Sequence, residues 1–349
     1  MKTSNYLKLM SLALLIVSCQ KNDISDSQVN EQEKEAISYA VVYTDQQLKN
    51  WKETGNPYLE SEHKNSKTTA IDPTIPSHAG VFEPIPVGTK AFGVHPYQNR
   101  FWSMIRLKIS IPLVNAADFD LKNNVTTAIS EIEAETNIRF YNAILDPDTD
   151  PVWGFKYPNV FIQKATGNQK GSSYIGLQGA EQYIYLPQTA EVPFIKRALM
   201  NVAGMYNEQQ RNDRDTYVSV NTGNVDPSNR YHFNKITSNY FSIGVFDFNS
   251  ITLAGTYEFS SNSTLKSITK SDGSNTPINT TLSALDRGFV NYFYLPYIAR
   301  TDTYRELDDV VFDVNNVQLT TAQRQQLQDQ LNNYASYPGT GNRINQQNW

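Results

Sequence analysis

The 349-residue chain has one cysteine, four histidines and no surplus of positive charge. A lone thiol excludes an internal disulfide, so packing has to hold the fold unaided. With 30 lysines and arginines against 35 acidic residues the net charge is −5, which argues against a nucleic-acid partner. His63, His78, His95 and His232 are far apart, with no pair at metal-ligand spacing, so surface or loop positions are expected for them. No glycine-rich phosphate loop and no cysteine nucleophile is present, and Ser172-Ser173 has no partner that the sequence assigns. Beyond the N-terminus no apolar run reaches bilayer-spanning length.

The one cysteine sits where it carries information. Lys2 and Lys8 precede an apolar run, Leu9–Val17, that is too short for a permanent membrane helix. Ile16-Val17-Ser18-Cys19 is similar to a bacterial lipobox, so residues 1–18 are read as a lipoprotein signal peptide and Cys19 as the lipidated first residue. The alternative is a stray cysteine beside an ordinary cleavage site. Gln20-Lys21-Asn22-Asp23 loosely resembles surface-export signals, which gives attachment to the bacterial outer membrane on its periplasmic or surface face.

Residues 19–91 read as a tether and linker, or as a degenerate pro-segment, with one short helix near Tyr43–Trp51. Four prolines between residues 71 and 86 mark an extended stretch. The body starts near Phe92. Ile105–Ile111 alternates as a half-buried strand does. Val125, Ala128, Ile129 and Ile132 follow helical spacing, ending near Thr136. Ile138–Phe140, Asn159–Gln163 and Tyr183–Leu186 read as strands, and Phe194–Tyr206 as a helix. That order predicts an α+β fold with one mixed sheet. Asp146, Asp148 and Asp150 have the spacing of a calcium loop, but Pro151 and Tyr157 replace its glycine and glutamate, so a polar loop is expected.

Arg197 to Val218 reads R-A-L-M-N-V-A-G-M-Y-N-E-Q-Q-R-N-D-R-D-T-Y-V. It resembles the active-site helix of the astacin family of zinc peptidases, H-E-x-x-H-x-x-G-x-x-H-E-x-x-R-x-D-R-x-x-Y-V. Gly204, Glu208, Arg211, Asp213, Arg214, Tyr217 and Val218 match in register. Thr136–Phe140 is similar to the family's T-x-I-R-F, and Gly171–Leu186 to the segment forming the edge strand above the cleft. Phe246–Ile251 resembles the approach to the methionine turn, and Leu282–Asp286 with Asn291–Tyr294 the closing helix. The resemblance implies a metzincin, zincin-like α+β fold over residues 92–295: a twisted mixed sheet, two long helices and a smaller irregular C-terminal half. It also implies that Gly204 ends the helix in a left-handed turn. Glu208 would contact the amino terminus of a matured enzyme, and Arg211, Asp213 and Arg214 are expected to form an ion-pair cluster rather than a solvated patch.

The chemistry of that family is missing from the same frame. The three ligand histidines are Arg197, Asn201 and Asn207, and the catalytic glutamate is Ala198. Arginine stays protonated and only donates hydrogen bonds, so it does not ligate a cation. Asparagine offers one neutral oxygen, which suits calcium better than zinc. Alanine supplies no base, a function worth about 10²–10⁴-fold in rate. In the methionine turn, Ser250–Ala254, methionine is Thr252 and the assisting tyrosine is Ala254.

The expectation is therefore a lipid-anchored pseudopeptidase, not an enzyme, with no catalytic residue, no metal and no cofactor, although zinc is the family's metal. It would bind a peptide or protein of unknown identity in the former cleft, at Tyr183, Tyr185, Arg197, Asn201 and Asn207, with strand addition along Gln182–Leu186. Membrane contact would come through Cys19 only. A zinc metalloendopeptidase and a structural envelope lipoprotein are the alternatives; aromatic side chains packed over Arg197 would favour the latter. Residues 296–349 form an extension outside the resemblance. There Thr320 and Gln323 make a capping box for a helix through Tyr334, which either docks or awaits a partner, and the last residues look disordered.

Overall fold

The computed structural model describes residues 41–58, 91–94, 101–166, 171–172, 174–179, 181–335, 339–346 and 348–349. Cys19, the proline-rich stretch, His63, His78 and His95 lie outside the described residues.

A five-stranded sheet forms the upper half, in the order β3-β2-β4-β6-β5. Its strands are β2 (Ile105–Ser110), β3 (Phe140–Asn142), β4 (Val160–Lys164), β5 (Gly171–Ser172) and β6 (Gln182–Leu186). The first four in that order run parallel, and β5 alone is antiparallel. Two helices, α2 (Ala116–Glu135) and α3 (Val192–Val202), pack against each other and cover one sheet face. Asn115 caps α2 reciprocally with Asp118, and Leu121, Val125, Ala128, Ile129 and Ile132 form its buried stripe. Ile184 and Leu186 of β6 join that core, while Tyr183 and Tyr185 alternate to the opposite face.

Three further pieces complete the body. β1 (Ala91–Val94) pairs antiparallel with β8 (Tyr240–Ile243), and β7 (Val218–Val220) with β9 (Ile268–Lys270). The β7–β9 pair lies over a second, smaller core of Val225, Phe233, Phe246, Leu253 and Phe259. α4 (Ala284–Phe293) returns to the main core, where Asn291 Oδ1 accepts from Asn137 N at 2.7 Å and Tyr294 Oη donates to Ala203 O at 2.8 Å. These bonds tie the closing helix to the T-x-I-R-F segment and to the end of α3.

Two segments read from the sequence as peripheral pack onto the body. Within the expected tether, α1 (Asp45–Thr54) is capped by Thr44 and Gln47, and Val41, Tyr43 and Trp51 sit in the main core. The body therefore extends N-terminally beyond Phe92. At the other end α5 (Thr321–Ala335) docks through Leu327 and Leu331 onto Leu295, Tyr297, Leu307 and Val311. The final residues were expected to be loose, yet Asn142 N donates to Gln346 Oε1 at 3.0 Å, so the tail lies along the outer strand β3. Trp349 packs against the main core. An aromatic anchor and backbone pairing outweigh a Gly/Asn/Gln-rich composition.

Candidate functional site

The site is built on the second half of α3. Every residue from Ile195 to Val202 is buried, and spacing of four puts Arg197 and Asn201 on one helix face. After Val202 the chain turns sharply at Gly204, with φ +103°. A Cβ there would stand 2.9 Å from Val94 Cγ2 in a left-handed conformation, so glycine is required. The turn brings Asn207 back beside Arg197.

Arg197 Nη1 donates to both carboxylate oxygens of Glu258, at 2.8 and 2.9 Å. Glu258 Oε2 also accepts from Gly255 N at 3.0 Å. Arg197 Nη2 lies 3.5 Å from Asn207 Oδ1, and Asn207 Nδ2 lies 3.4 Å from Gln210 Oε1. Asn201 Nδ2 donates to Met205 O at 2.7 Å, while among the described residues its Oδ1 has no hydrogen-bond partner. Arg197, Asn201 and Asn207 were expected to offer donors on a cleft floor. The structure corrects that: all three are buried and turned to the protein's own groups. A guanidinium paired with Glu258, two amides and Ala198 do not fit a zinc ion, which takes thiolate, imidazole or carboxylate ligands.

His232 is the residue that sequence reasoning misplaced. It is fully buried, stacked on Phe259 at 4.1 Å with a 12° tilt and packed on Tyr231 at 4.2 Å. Neither ring nitrogen has a hydrogen-bond partner among the described residues. Burial, followed by the positive charge of Arg197, holds its pKa well below the usual 6.5, so the imidazole is neutral. Its place beside Arg197 comes from the turn Pro227–Phe233 and has no signature in the local sequence.

Residues 250–254 form the floor. Ser250 Oγ donates to Asp286 Oδ1 at 2.7 Å and Ile251 N to Asp286 Oδ2 at 2.8 Å, which fixes the turn to the start of α4. Burial raises Asp286 to about 6. Ala254 N donates to Gln209 Oε1 at 3.0 Å. Glu208 is buried, accepts from Asp247 N at 2.8 Å and lies 3.5 Å from Arg211 Nε. Burial pushes it up to about 8 against the pull of Arg211. The charged run is an ion-pair cluster with a division of labour: Arg211 grips Asp213 at 2.8–2.9 Å, whereas Arg214 reaches Asp215 at 3.2 Å and the backbone of Gln209 and Phe233.

The upper edge also differs from expectation. Gly171 and Ser172 of β5 pair with Tyr185 and Ile184 of β6, so β6 is an inner strand along that stretch and β5 is the sheet edge. Tyr183 and Tyr185 stack on each other at 5.8 Å and Tyr183 stacks on Phe161 at 5.4 Å, on the sheet face opposite α2 and α3. They do not join Arg197, because strand alternation points them away from it.

What spans the gap between the upper and lower halves is the N-terminal segment. Ile175 N donates to Tyr58 Oη at 3.0 Å, above, and Trp51 Nε1 donates to Lys235 O at 2.8 Å, below. Asn56 Nδ2 donates to Tyr206 Oη at 3.1 Å and Ser238 O at 3.0 Å. Tyr43 meets Tyr231 edge-on at 5.6 Å. Segment 41–58 is thus wedged between residues 175 and 231–239.

The family model of astacin, a peptidase family, matches residues 94–295. Flavastacin of Elizabethkingia meningoseptica is 27% identical over 174 residues, which is 50% of this chain and 36% of flavastacin. Embryonic protein UVS.2 of Xenopus laevis is 32% identical over 171 residues, 48% of this chain and 30% of that protein. The chain spans about a third of the length of these curated relatives. Among solved structures, the hatching enzyme zinc-protease HCE-1 of Oryzias latipes shares 24% identity at a TM-score of 0.45, covering 55% of this chain and 93% of that one. This chain belongs to the astacin family. Its fold is the mixed α+β, metzincin-type architecture.

Proposed function

We propose that this chain is a lipid-anchored, non-hydrolytic astacin-family protein of the bacterial cell envelope, acting through its surfaces as a structural or binding component. The observation that carries this reading is the buried Arg197–Glu258 pair, which stands where the family's pattern has a zinc ligand. With Ala198 at the position of the base and Ala254 at that of the assisting tyrosine, the two groups by which the family acts on water are both missing. The stacked His232 and Phe259 rings, with Arg197 near enough for its charge to depress the imidazole, support a filled site over an open one.

A second reading, non-covalent binding of a peptide or protein, is supported by segment 41–58. That segment is itself a peptide held between the two halves, and an external peptide would compete with it. Fold alone does not assign either activity.

The test is zinc per chain in the purified full chain after dialysis against trace zinc, together with cleavage of a denatured protein substrate. Substoichiometric zinc and no cleavage are expected. One tightly held zinc with zinc-dependent cleavage would return the chain to the active peptidases. Peptide binding is read separately, by displacement of a labelled synthetic peptide spanning residues 41–58 with envelope peptides. No binding of that peptide or of any competitor leaves the structural reading alone.

A further inference from the structure

The connection between β3 and β4 carries a group of strongly exposed apolar side chains. Ile144, Leu145, Val152, Trp153 and Phe155 are 48%, 73%, 76%, 81% and 52% exposed. Thr149 and Lys156 bridge as an antiparallel pair, which makes Pro151-Val152-Trp153-Gly154 the tip of a small hairpin. Gly154 turns it at φ +71°, with no atom within 4 Å of the place a Cβ would take. The tip is convex and stands clear of the body.

Three of its backbone N–H groups are bonded within the turn. Asp150 Oδ1 accepts from Val152 N at 2.9 Å and Trp153 N at 2.7 Å, Gly154 N donates to Asp150 O, and Asp150 N donates to Phe155 O. The three aspartates of the D-x-D-x-D run face the sheet side: Asp146 pairs with Arg106 at 2.7 Å, Asp148 with Lys108 at 2.5 Å, and Asp150 accepts from Tyr157 Oη at 2.7 Å. The carboxylates that hinted at calcium thus serve as braces. They leave a tip whose N–H groups at 152, 153 and 154 are bonded within it and whose outward side chains are apolar and aromatic.

We propose that this hairpin tip is a membrane-contacting element that dips Val152, Trp153 and Phe155 into the interface of a lipid bilayer. The headgroup level of a bilayer favours tryptophan and still holds water, so bonded N–H groups and solvated carbonyls are both accommodated there. The inference rests on the lipid attachment proposed above for proximity alone. From Cys19 to Val41 the chain has 22 residues, which extended would reach roughly 70 Å, enough to let any face of the body touch the bilayer.

The test uses the full chain carrying Cys19→Ser, so that no acyl group contributes, with phosphatidylethanolamine–phosphatidylglycerol vesicles whose acyl chains are brominated. Trp51 and Trp102 are almost wholly buried and the half-buried Trp349 is common to parent and variant, so the bromine quenching that Trp153→Phe removes reports on Trp153. Quenching and a blue shift are expected in the parent and lost in Trp153→Phe; the apolar leader is common to both chains. Val152→Ser with Phe155→Ser, both exposed and neutral for folding, weakens the quenching at least about threefold. Equal quenching in parent and Trp153→Phe, or none in the parent, overturns the proposal. So does protection of Trp153 from a water-soluble quencher by an envelope protein but not by vesicles. Lipidation is read independently from the mass of the mature N-terminus of the wild-type chain, so either idea can fail without the other.

Discussion

Arg197 and Glu258 are 61 residues apart in the chain, yet one guanidinium nitrogen bridges both oxygens of the carboxylate, with the two side chains only 8% and 11% exposed. The pair joins the helix of the upper half to the turn that follows residues 250–254 below. Breaking a buried pair strands a charge, whereas replacing both members removes the problem with the pair. Glu258→Ala is therefore expected to cost about 3–5 kcal/mol, and Arg197→Met with Glu258→Leu far less than that single change. Urea midpoints of the two variants check this; a single variant as stable as the parent would deny the pair its role.

Stability should also depend on pH in two opposed ways. Burial holds Glu208 at about 8, above its ordinary 4.5, so the folded chain keeps a proton that the unfolded chain releases. That contribution is fully present below about 4.5 and fades as pH rises through about 8. His232 works in reverse: its pKa is lowered from 6.5, so its contribution is present above 6.5 and is lost as pH falls. Unfolding midpoints measured from pH 5 to 9 should lose their alkaline decline in Glu208→Gln and their acid decline in His232→Phe. Unchanged pH profiles in both variants would contradict the assignment.

Trp51 is 4% exposed, packs at 5.1 Å on Tyr43 and donates to Lys235 O. Trp51→Ala is expected to lower stability by about 3–5 kcal/mol, the usual cost of emptying a large aromatic site. Limited proteolysis should then cut within residues 41–58, which the parent protects. Rapid cutting of the parent itself would mean the segment is not part of the core.

The helix Val192–Val202, its exit at Gly204 and the strands before it were legible because each leaves a local trace, in spacing or in a residue type that the backbone demands. Glu208, Arg211 and Asp213 were legible through the motif that carries them. The partner of Arg197 was not, since nothing in the turn around Glu258 announces a contact formed only by the folded chain. The same holds for His232, read as a loop histidine because burial is set by what packs on Pro227–Phe233. Tyr183 and Tyr185 were assigned to the cleft because the motif covers the whole segment. Which strand takes the edge depends on Gly171-Ser172 pairing back, a contact with no residue signature.

The two bonds Trp51–Lys235 and Asn142–Gln346 join positions 184 and 204 residues apart. A chain made and threaded from its N-terminus cannot close the first until residue 235 has emerged, nor the second until the last few residues are free. Early segments must therefore wait with Val41, Tyr43 and Trp51 uncovered until residue 235 has been made. Loss of either partner segment is then a defect of assembly rather than the loss of an appendage.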